Sequence, residues 1–148
     1  IGAYSYIDSL ITKDRGLDYN NLDADGNPAI TAGNTGNRLI NVPRHNGSIW
    51  STYELQKGDW RGLKLGGGVV ARSIRQGDNA NDFQLPGYAT VGLMASYDWI
   101  IDDKKLRVQL NVDNLLDTRY YPFSYGNAIG GVYAGAPRTF RGAIGVEF

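Results

Sequence analysis

The chain has 148 residues, 15 Lys and Arg against 15 Asp and Glu, and no Cys. Its balanced charge argues against a dedicated nucleic-acid binder, which carries a basic excess or stripe, and the lack of Cys excludes disulfides and thiolate sites. No stretch approaches the roughly 18 uninterrupted apolar residues of a transmembrane helix. Composition alone is therefore typical of a soluble β protein.

Six segments alternate apolar and polar residues, which is the pattern of a strand with one apolar face. In chain order they are 1–11, 44–56, 63–72, 88–99, 106–113 and 140–148. With their flanks we expect strands of about 11–15 residues, whereas strands of globular proteins are usually about 5–6. A tilted strand that crosses a bilayer needs about 9–11 residues. The segment lengths therefore favour membrane strands.

The connections between these segments alternate long and short: 12–43, 57–61, 75–85, 101–104 and 117–136. Outer-membrane barrels have short periplasmic turns and longer external loops. With that orientation, strands two, four and six end at the periplasmic rim, where their apolar positions hold Tyr53, Tyr97, Trp99 and Phe148. Aromatic side chains prefer the interface between membrane and water, so this pattern also indicates a barrel.

The charged residues of the segments fall on the positions opposite the apolar ones. They are Asp8, Glu54, Lys64, Arg72, Asp98, Arg107, Arg141 and Glu147. A polar lumen and a lipid-facing apolar band explain this sorting, although a soluble sheet with one wet face also permits it. The predicted fold class is all-β, a transmembrane antiparallel β-barrel.

The C-terminal third carries the most specific motifs. Residues 111–121 read NVDNLLDTRYY, which resembles the N-L-F-D-x-x-Y signature of TonB-dependent outer-membrane receptors. Residues 135–140 read GAPRTF and resemble the family's G-x-P-R-x-F/Y start of the final strand, and residues 41–45 read NVPRH and resemble its N-x-P-x-H motif. The match looks closest to the siderophore receptors. We expect a structural role, in register and loop geometry, for Asn114, Leu115, Asp117, Tyr120, Pro137, Arg138 and Phe140.

The resemblance implies an energy-coupled transporter, not an enzyme, without a cofactor. Its implied partners are a ferric siderophore, a TonB-type energy transducer, outer-membrane lipid and the barrel assembly machinery, which would read a C-terminal signal ending at Phe148. Family barrels close with about 22 strands around a plug domain. Residues 1–148 are therefore expected to be six C-terminal strands of such a barrel in a Gram-negative outer membrane, with the plug and the TonB-coupling segment absent from this chain.

One loop is a candidate ligand site because aromatic rings suit a large amphipathic ligand. Its rings belong to Tyr120, Tyr121, Phe123, Tyr125 and Tyr133. The alternative is that these rings pack on each other or form the outer aromatic belt. Similarly, Arg44, Arg72 and Arg75 are candidates to attract an anionic chelate or, alternatively, to form ordinary ion pairs.

Other chemistry has weak support. The single histidine, His45, lacks the Ser or Cys arrangement of a catalytic triad and is expected to be structural. Residues 21–27 partly resemble a calcium loop, but its twelfth position holds Ala32 instead of Glu, so we expect a solvated turn. The run 66–68 is Gly-Gly-Gly without a following helix, and we expect it to relieve crowding or bend the strand.

Several functions stay open at this stage. The cargo of a TonB-dependent receptor could instead be a corrinoid, haem or another nutrient. The remaining alternatives are a passive porin and a soluble β-sheet binding module. We expect no catalytic and no metal-binding residues.

Overall fold

The computed structural model describes residues 1–31, 33–102, 104–126 and 131–147. Twelve strands lie in this part of the chain, in the order β1 Gly2–Tyr6, β2 Gly16–Leu22, β3 Pro28–Thr31, β4 His45–Glu54, β5 Lys64–Arg72, β6 Arg75–Gln76, β7 Gln84–Leu85, β8 Tyr88–Ile101, β9 Lys104–Asp113, β10 Phe123–Ser124, β11 Val132–Tyr133 and β12 Thr139–Glu147. No helix among the described residues is long and apolar enough to cross a membrane.

Six of the strands form one sheet, the wall, in the order β1-β4-β5-β8-β9-β12. Every neighbouring pair is antiparallel, so the chain runs up and down through the wall. Among the described residues, β1 and β12 each have one unpaired edge. The prediction of six successive antiparallel strands is confirmed.

The connections alternate as the sequence predicts. Residues 7–44, 73–87 and 114–138 form long connections at one end of the wall, while 55–63 and 102–103 form short ones at the other. Each long connection also contains a two-stranded hairpin, β2–β3, β6–β7 or β10–β11, which the sequence reading treated as loop. The long connections are therefore structured extensions of the wall.

Strand register assigns the two faces of the wall. Ile49 pairs with Val69 and Val69 pairs with Val91, so these three side chains share one face, which we call the apolar face. Glu54 pairs with Lys64 and Asp98 with Arg107 on the other face, the polar face. Ion pairs on the polar face join Glu54 to Lys64 at 3.5 Å, Asp98 to Lys105 at 3.0 Å, Asp98 to Arg107 at 2.7 Å and Asp113 to Arg141 at 2.7 Å. The predicted sorting of charge to one face is confirmed for the wall strands, but Asp8, which was predicted to lie in the first strand, follows the end of β1 at Tyr6.

The apolar face is exposed, unlike the apolar side of a water-soluble sheet. Ile49 is 62% exposed, Leu110 is 50% exposed and Ile144 is 75% exposed. Soluble proteins rarely expose large contiguous apolar patches. Such a face requires lipid or protein to cover it.

The wall strands have 5, 10, 9, 14, 10 and 9 residues from β1 to β12, so only β8 reaches the predicted length and the other five strands are shorter. The largest error is at the first strand, which ends at Tyr6 instead of residue 11. Its partner β4 begins at His45, two residues after Pro43, which lacks an N–H for the ladder, and four residues after Asn41, which has φ +64°. The ladder therefore stops after Ile7 N–H donates to Arg44 O.

Candidate ligand-binding site on the long connections

The three long connections are joined to each other by asparagine amides, and together we call them the loop platform. Asn41 donates its backbone N–H to Gln76 O at 2.9 Å, which links the first connection to the second. Its side chain donates to Ser124 O at 2.7 Å and accepts from Ser124 N–H at 2.8 Å, which links it to the third. One side chain thus satisfies both backbone groups of a β10 residue, as a strand neighbour would.

A second amide makes the same kind of link between the first two connections. Asn81 accepts from Arg38 N–H at 2.9 Å and donates to Arg38 O at 2.9 Å. Asn37 donates to the carbonyl oxygens of Asn79 and Ala80 at 2.9 and 3.0 Å. Asn41 and Asn81 both have positive φ, which Asn tolerates better than most residues. These links between connections were not predicted from the sequence, because Asn in a loop signals only a turn.

An ion pair also holds the first connection together. The Asp8 carboxylate lies 2.6 Å from the Arg38 guanidinium and 3.6 Å from that of Arg44. The hydrogen bond from Arg38 lowers the pKa of Asp8. Because the folded pKa is lowered, this pair stabilises the fold at pH values above the ordinary pKa of Asp, and the contribution is lost as the pH falls through the lowered value.

Three of the five predicted ligand residues form one cluster, which we call the aromatic trio. Phe123 and Tyr133 pair across β10 and β11, with ring centroids 4.6 Å apart and an interplanar angle of 12°. Tyr125 meets both rings edge-on, at 5.5 Å from Phe123 and 5.2 Å from Tyr133. The exposed fractions are 37% for Phe123, 71% for Tyr125 and 45% for Tyr133. Their mutual packing therefore leaves aromatic surface exposed on the platform.

The other two predicted ligand residues lie apart from the trio. The Tyr120 ring packs against Tyr88 of the wall, with centroids 4.4 Å apart, and a Cβ added to Gly135 would lie 2.2 Å from it. Tyr121 is 41% exposed, and its carbonyl oxygen accepts a hydrogen bond from Arg75. The structure therefore does not bring all five rings into one pocket.

Arg75 lies on β6 in the second long connection and is only 1% exposed. Its guanidinium lies 5.2 Å from the centre of the Tyr88 ring, and burial lowers the pKa of this group. Nε and Nη1 have no hydrogen-bond partner among the described residues. Of the other two arginines considered, Arg44 contacts Asp8 and Arg72 ends β5 on the polar face.

The family motif after β9 forms a hydrogen-bonded turn around Asn114, which is 6% exposed. The Asn114 side chain donates to Thr118 O at 2.9 Å and to Ala136 O at 3.1 Å, and it accepts from Thr118 N–H at 2.9 Å. Asp117 accepts from Arg138 N–H at 2.9 Å. These bonds tie the start of the third connection to its end.

The remaining motif residues surround this turn. Leu115 N–H donates to Val91 O at 2.8 Å, and its carbonyl accepts from the Arg138 side chain at 3.3 Å. Pro137 directly precedes this arginine, and Phe140 pairs with Val112 in the wall. Phe148 lies outside the described residues.

The other candidates have local structural partners. The His45 ring forms a hydrogen bond of 2.8 Å with the Tyr4 hydroxyl, and its centroid lies 5.2 Å from that of the Tyr6 ring. Asp23 accepts from the N–H groups of Asp25 and Asn27 at 3.0 and 2.8 Å, so its carboxylate closes a turn. No group of three or more His, Cys, Asp or Glu among the described residues is arranged to hold a metal ion.

Two glycines of the run, Gly66 and Gly68, lie beside Trp50, whose indole is on the polar face, whereas Gly67 faces Leu93 on the apolar face. Gly68 is the direct partner of Trp50, and Gly92 is the next residue in the same row across the sheet. A Cβ at Gly68 would lie 2.4 Å from the indole, and one at Gly92 would lie 3.3 Å from it. The prediction that these glycines relieve crowding is confirmed. The indole also borders a cleft of about 460 Å³ between the wall and the third connection, where Tyr120 and Pro137 lie opposite.

An exposed apolar face, a polar face lined with ion pairs, short turns at one end and long structured loops at the other define part of an outer-membrane barrel. Comparison with known proteins agrees. Residues 1–115 match the family described as TonB dependent receptor-like, beta-barrel. The chain belongs to this family, whose members are outer-membrane β-barrels of Gram-negative bacteria.

Similar proteins carry siderophore and metallophore names. The chain is 36% identical to the metal-pseudopaline receptor of Pseudomonas aeruginosa over 149 aligned positions, which cover all of this chain and 18% of that protein. It is 34% identical to the ferrioxamine B receptor of Salmonella typhimurium, over 76% of this chain and 16% of that receptor. The siderophore receptor PiuA of Acinetobacter baumannii superimposes with a TM-score of 0.71 at 28% identity, over 97% of this chain and 18% of that structure. The chain thus spans less than a fifth of the length of these relatives.

Proposed function

We propose that this chain is the C-terminal wall and loop segment of an outer-membrane receptor that takes up a ferric siderophore with energy from a TonB-type transducer. The plug domain and the coupling segment of that receptor would lie outside residues 1–148. No bond of the cargo is made or broken, so the protein would be a transporter and not an enzyme. Family membership and the siderophore names of the relatives support this proposal.

The observation that supports a ligand-binding role is the aromatic trio, which lies on connections that hydrogen bonds join to each other. Stacking of Phe123 on Tyr133 holds both rings in place. Binding of a ligand to these rings would therefore cost little protein side-chain entropy. The exposed Tyr125 ring adds a phenol group that can donate or accept a hydrogen bond. We therefore narrow the proposed ligand contacts from five residues to these three.

Tyr120 and Tyr121 have roles that fit the platform better than direct ligand contact. The Tyr120 ring fills the space over Gly135 and against Tyr88, and the Tyr121 carbonyl accepts from the buried Arg75. The turn centred on Asn114 and Asp117 likewise supports the proposal that the motif residues set loop geometry.

A second cargo class is favoured by one observation. The relative that matches the whole chain at 36% identity is named for a metal-pseudopaline complex, and its name does not specify iron. A metallophore that carries another transition metal is therefore the second candidate. The test must therefore distinguish specificity for the metal from specificity for the chelator.

The test is uptake by the complete receptor in a strain from which its gene is deleted. Cells expressing the receptor would be given a panel of chelators loaded with radiolabelled iron, nickel, cobalt or zinc. We expect deletion to abolish uptake of one ferric chelate, and removal of the TonB-type transducer to have the same effect. Uptake of only non-iron chelates would favour the second cargo class, and uptake that continues without the transducer would contradict energy coupling.

Substitutions then test the trio. Removing the stacked pair, with Phe123→Ala and Tyr133→Ala together, should weaken chelate binding about tenfold, because each aromatic contact contributes about 0.5–1.5 kcal/mol. Tyr19→Ala is a matched control, since Tyr19 is 71% exposed on β2 in another connection. Equal binding by the double variant and the control would contradict ligand contact at the trio while leaving the transport proposal intact.

A further inference from the structure

A shallow groove of about 240 Å³ lies on the apolar face, close to the short connection 55–63. Its lining includes Trp60, Leu63, Ala95, Tyr97, Val108 and Leu110. The groove is far from the loop platform, because short and long connections lie at opposite ends of the wall. It belongs to no feature used in the proposed function.

The strand register explains the shape of the groove. Ala95 pairs with Leu65 on β5 and with Leu110 on β9, so a small side chain lies between two large ones. One step further towards the short connections, Tyr97 pairs with Val108. The small side chain of Ala95 therefore forms the floor, and its neighbours form apolar walls.

Trp60 reaches this face from the turn that joins β4 to β5. The turn is fixed by hydrogen bonds from Leu63 N–H to Trp60 O at 3.0 Å and from Arg61 N–H to Gly58 O at 3.1 Å. Gly58 and Gly62 have φ values of +82° and +90°, which glycine adopts without strain. The Trp60 side chain is nevertheless 64% exposed, and the Tyr97 ring packs edge-on against Trp99 at 4.7 Å. Indole and phenol groups in this position are typical of the headgroup level of a bilayer.

Exposed charges lie in the same turn as Trp60. The segment 55–63 carries Lys57, Asp59 and Arg61, two positive charges against one negative. No ion pair joins these three side chains to another residue in the described part of the chain. Lys105, on β9, forms an ion pair with Asp98 on the polar face. A net positive turn directly beside an apolar groove complements a phosphate attached to a hydrocarbon chain.

We propose that this groove is a binding site for one glycerophospholipid of the periplasmic leaflet of the outer membrane. An acyl chain occupies the groove over Ala95 beside the Trp60 indole, and the phosphate group lies near Lys57 and Arg61. The short connections mark the periplasmic end of the barrel. This site therefore faces the phospholipid leaflet and is independent of the cargo.

The complete receptor tests the proposal. It would be purified in mild detergent, and native mass spectrometry would measure retained phospholipid before and after adding phosphatidylglycerol or phosphatidylcholine. The substitution Ala95→Leu fills the groove without removing an aromatic ring. We expect it to lower retained phospholipid about tenfold, the equivalent of about 1.4 kcal/mol. Trp60→Ala should have a similar effect, and Trp60→Phe should retain most of the lipid because the ring is kept.

Ile144→Ala is the matched control, because Ile144 is 75% exposed on the apolar face and does not line the groove. The double substitution Lys57→Gln and Arg61→Gln should remove a preference for phosphatidylglycerol over phosphatidylcholine without abolishing acyl-chain binding. Heat-modifiable mobility on gels would confirm that each variant is folded. Equal lipid retention by Ala95→Leu, Trp60→Ala and the control would overturn the proposal, since it would show non-specific annular lipid.

Discussion

At the residue scale, the contact between Trp50 and Gly68 shows how the wall accommodates a large ring on its polar face. The indole lies across β5 towards β8, where Gly68 and Gly92 offer no side chain. A Cβ at Gly68 would also lie 2.4 Å from Ile49 O, so the crowding involves the backbone as well as the ring. The indole therefore depends on glycine at this row, and its position sets one wall of the cleft beneath the third connection.

The substitution Gly68→Ala should destabilise the barrel by about 1–3 kcal/mol, the usual cost of forcing extra volume into a packed site. Denaturant unfolding of the complete receptor in detergent would measure the loss. Gly47→Ala on β4 is the matched control, because a Cβ there would lie 3.5 Å from Ala3 O, an ordinary contact. Similar unfolding free energies for the two variants would contradict the role of Gly68.

At the scale of the strand, the position of a residue in the alternation decides whether it meets lipid or the barrel interior. Leu110 and Gln109 are neighbours in the middle of β9, and they lie on opposite faces. Leu110 is 50% exposed on the apolar face, whereas Gln109 donates to Asn111 at 3.0 Å on the polar face. Adjacent residues on one strand therefore face lipid on one side of the wall and the barrel interior on the other.

Arginine introduced at these two positions tests the assignment. Leu110→Arg should cost about 2–4 kcal/mol near the midplane of the bilayer, and Gln109→Arg should cost much less. The measurement is the unfolding free energy of the receptor in lipid vesicles, together with its level in the outer membrane. We expect the same contrast between Leu93→Arg and Thr90→Arg on β8. Equal damage from both members of a pair would refute the assignment of faces.

The alternation predicted the wall well because a period of two residues is a local property of the sequence. The hairpins in the long connections were missed although their signals were present, for example the Asp-Gly-Asn turn at residues 25–27 between β2 and β3. The amide links of Asn41 and Asn81 join residues up to 83 positions apart, and no local pattern encodes such pairs. For the same reason, the sequence placed five aromatic rings in one loop but did not indicate that Tyr120 turns towards the wall and away from the trio.

At the scale of the whole molecule, the described sheet is a partial barrel. One edge of β1 and one edge of β12 lack partners in the described part of the chain. Each unsatisfied backbone group in lipid costs several kcal/mol, so both edges require further strands. This chain covers less than a fifth of the length of its relatives, so the relatives are long enough to supply further strands. Closure of the barrel is therefore a property of the complete receptor.

Assembly of that receptor in the outer membrane is tested at Phe148. Phe148 ends a strand pattern that resembles the C-terminal signal of outer-membrane barrels, and its position lies outside the described residues. We expect deletion of Phe148 to slow insertion and lower the level of folded receptor in the outer membrane, measured by pulse-chase labelling and heat-modifiable mobility. Phe140→Ala is the control, because it removes a phenylalanine ring from the apolar face of β12, where Phe140 is 66% exposed. If both variants assembled at the same rate, the role of Phe148 in an assembly signal would be contradicted.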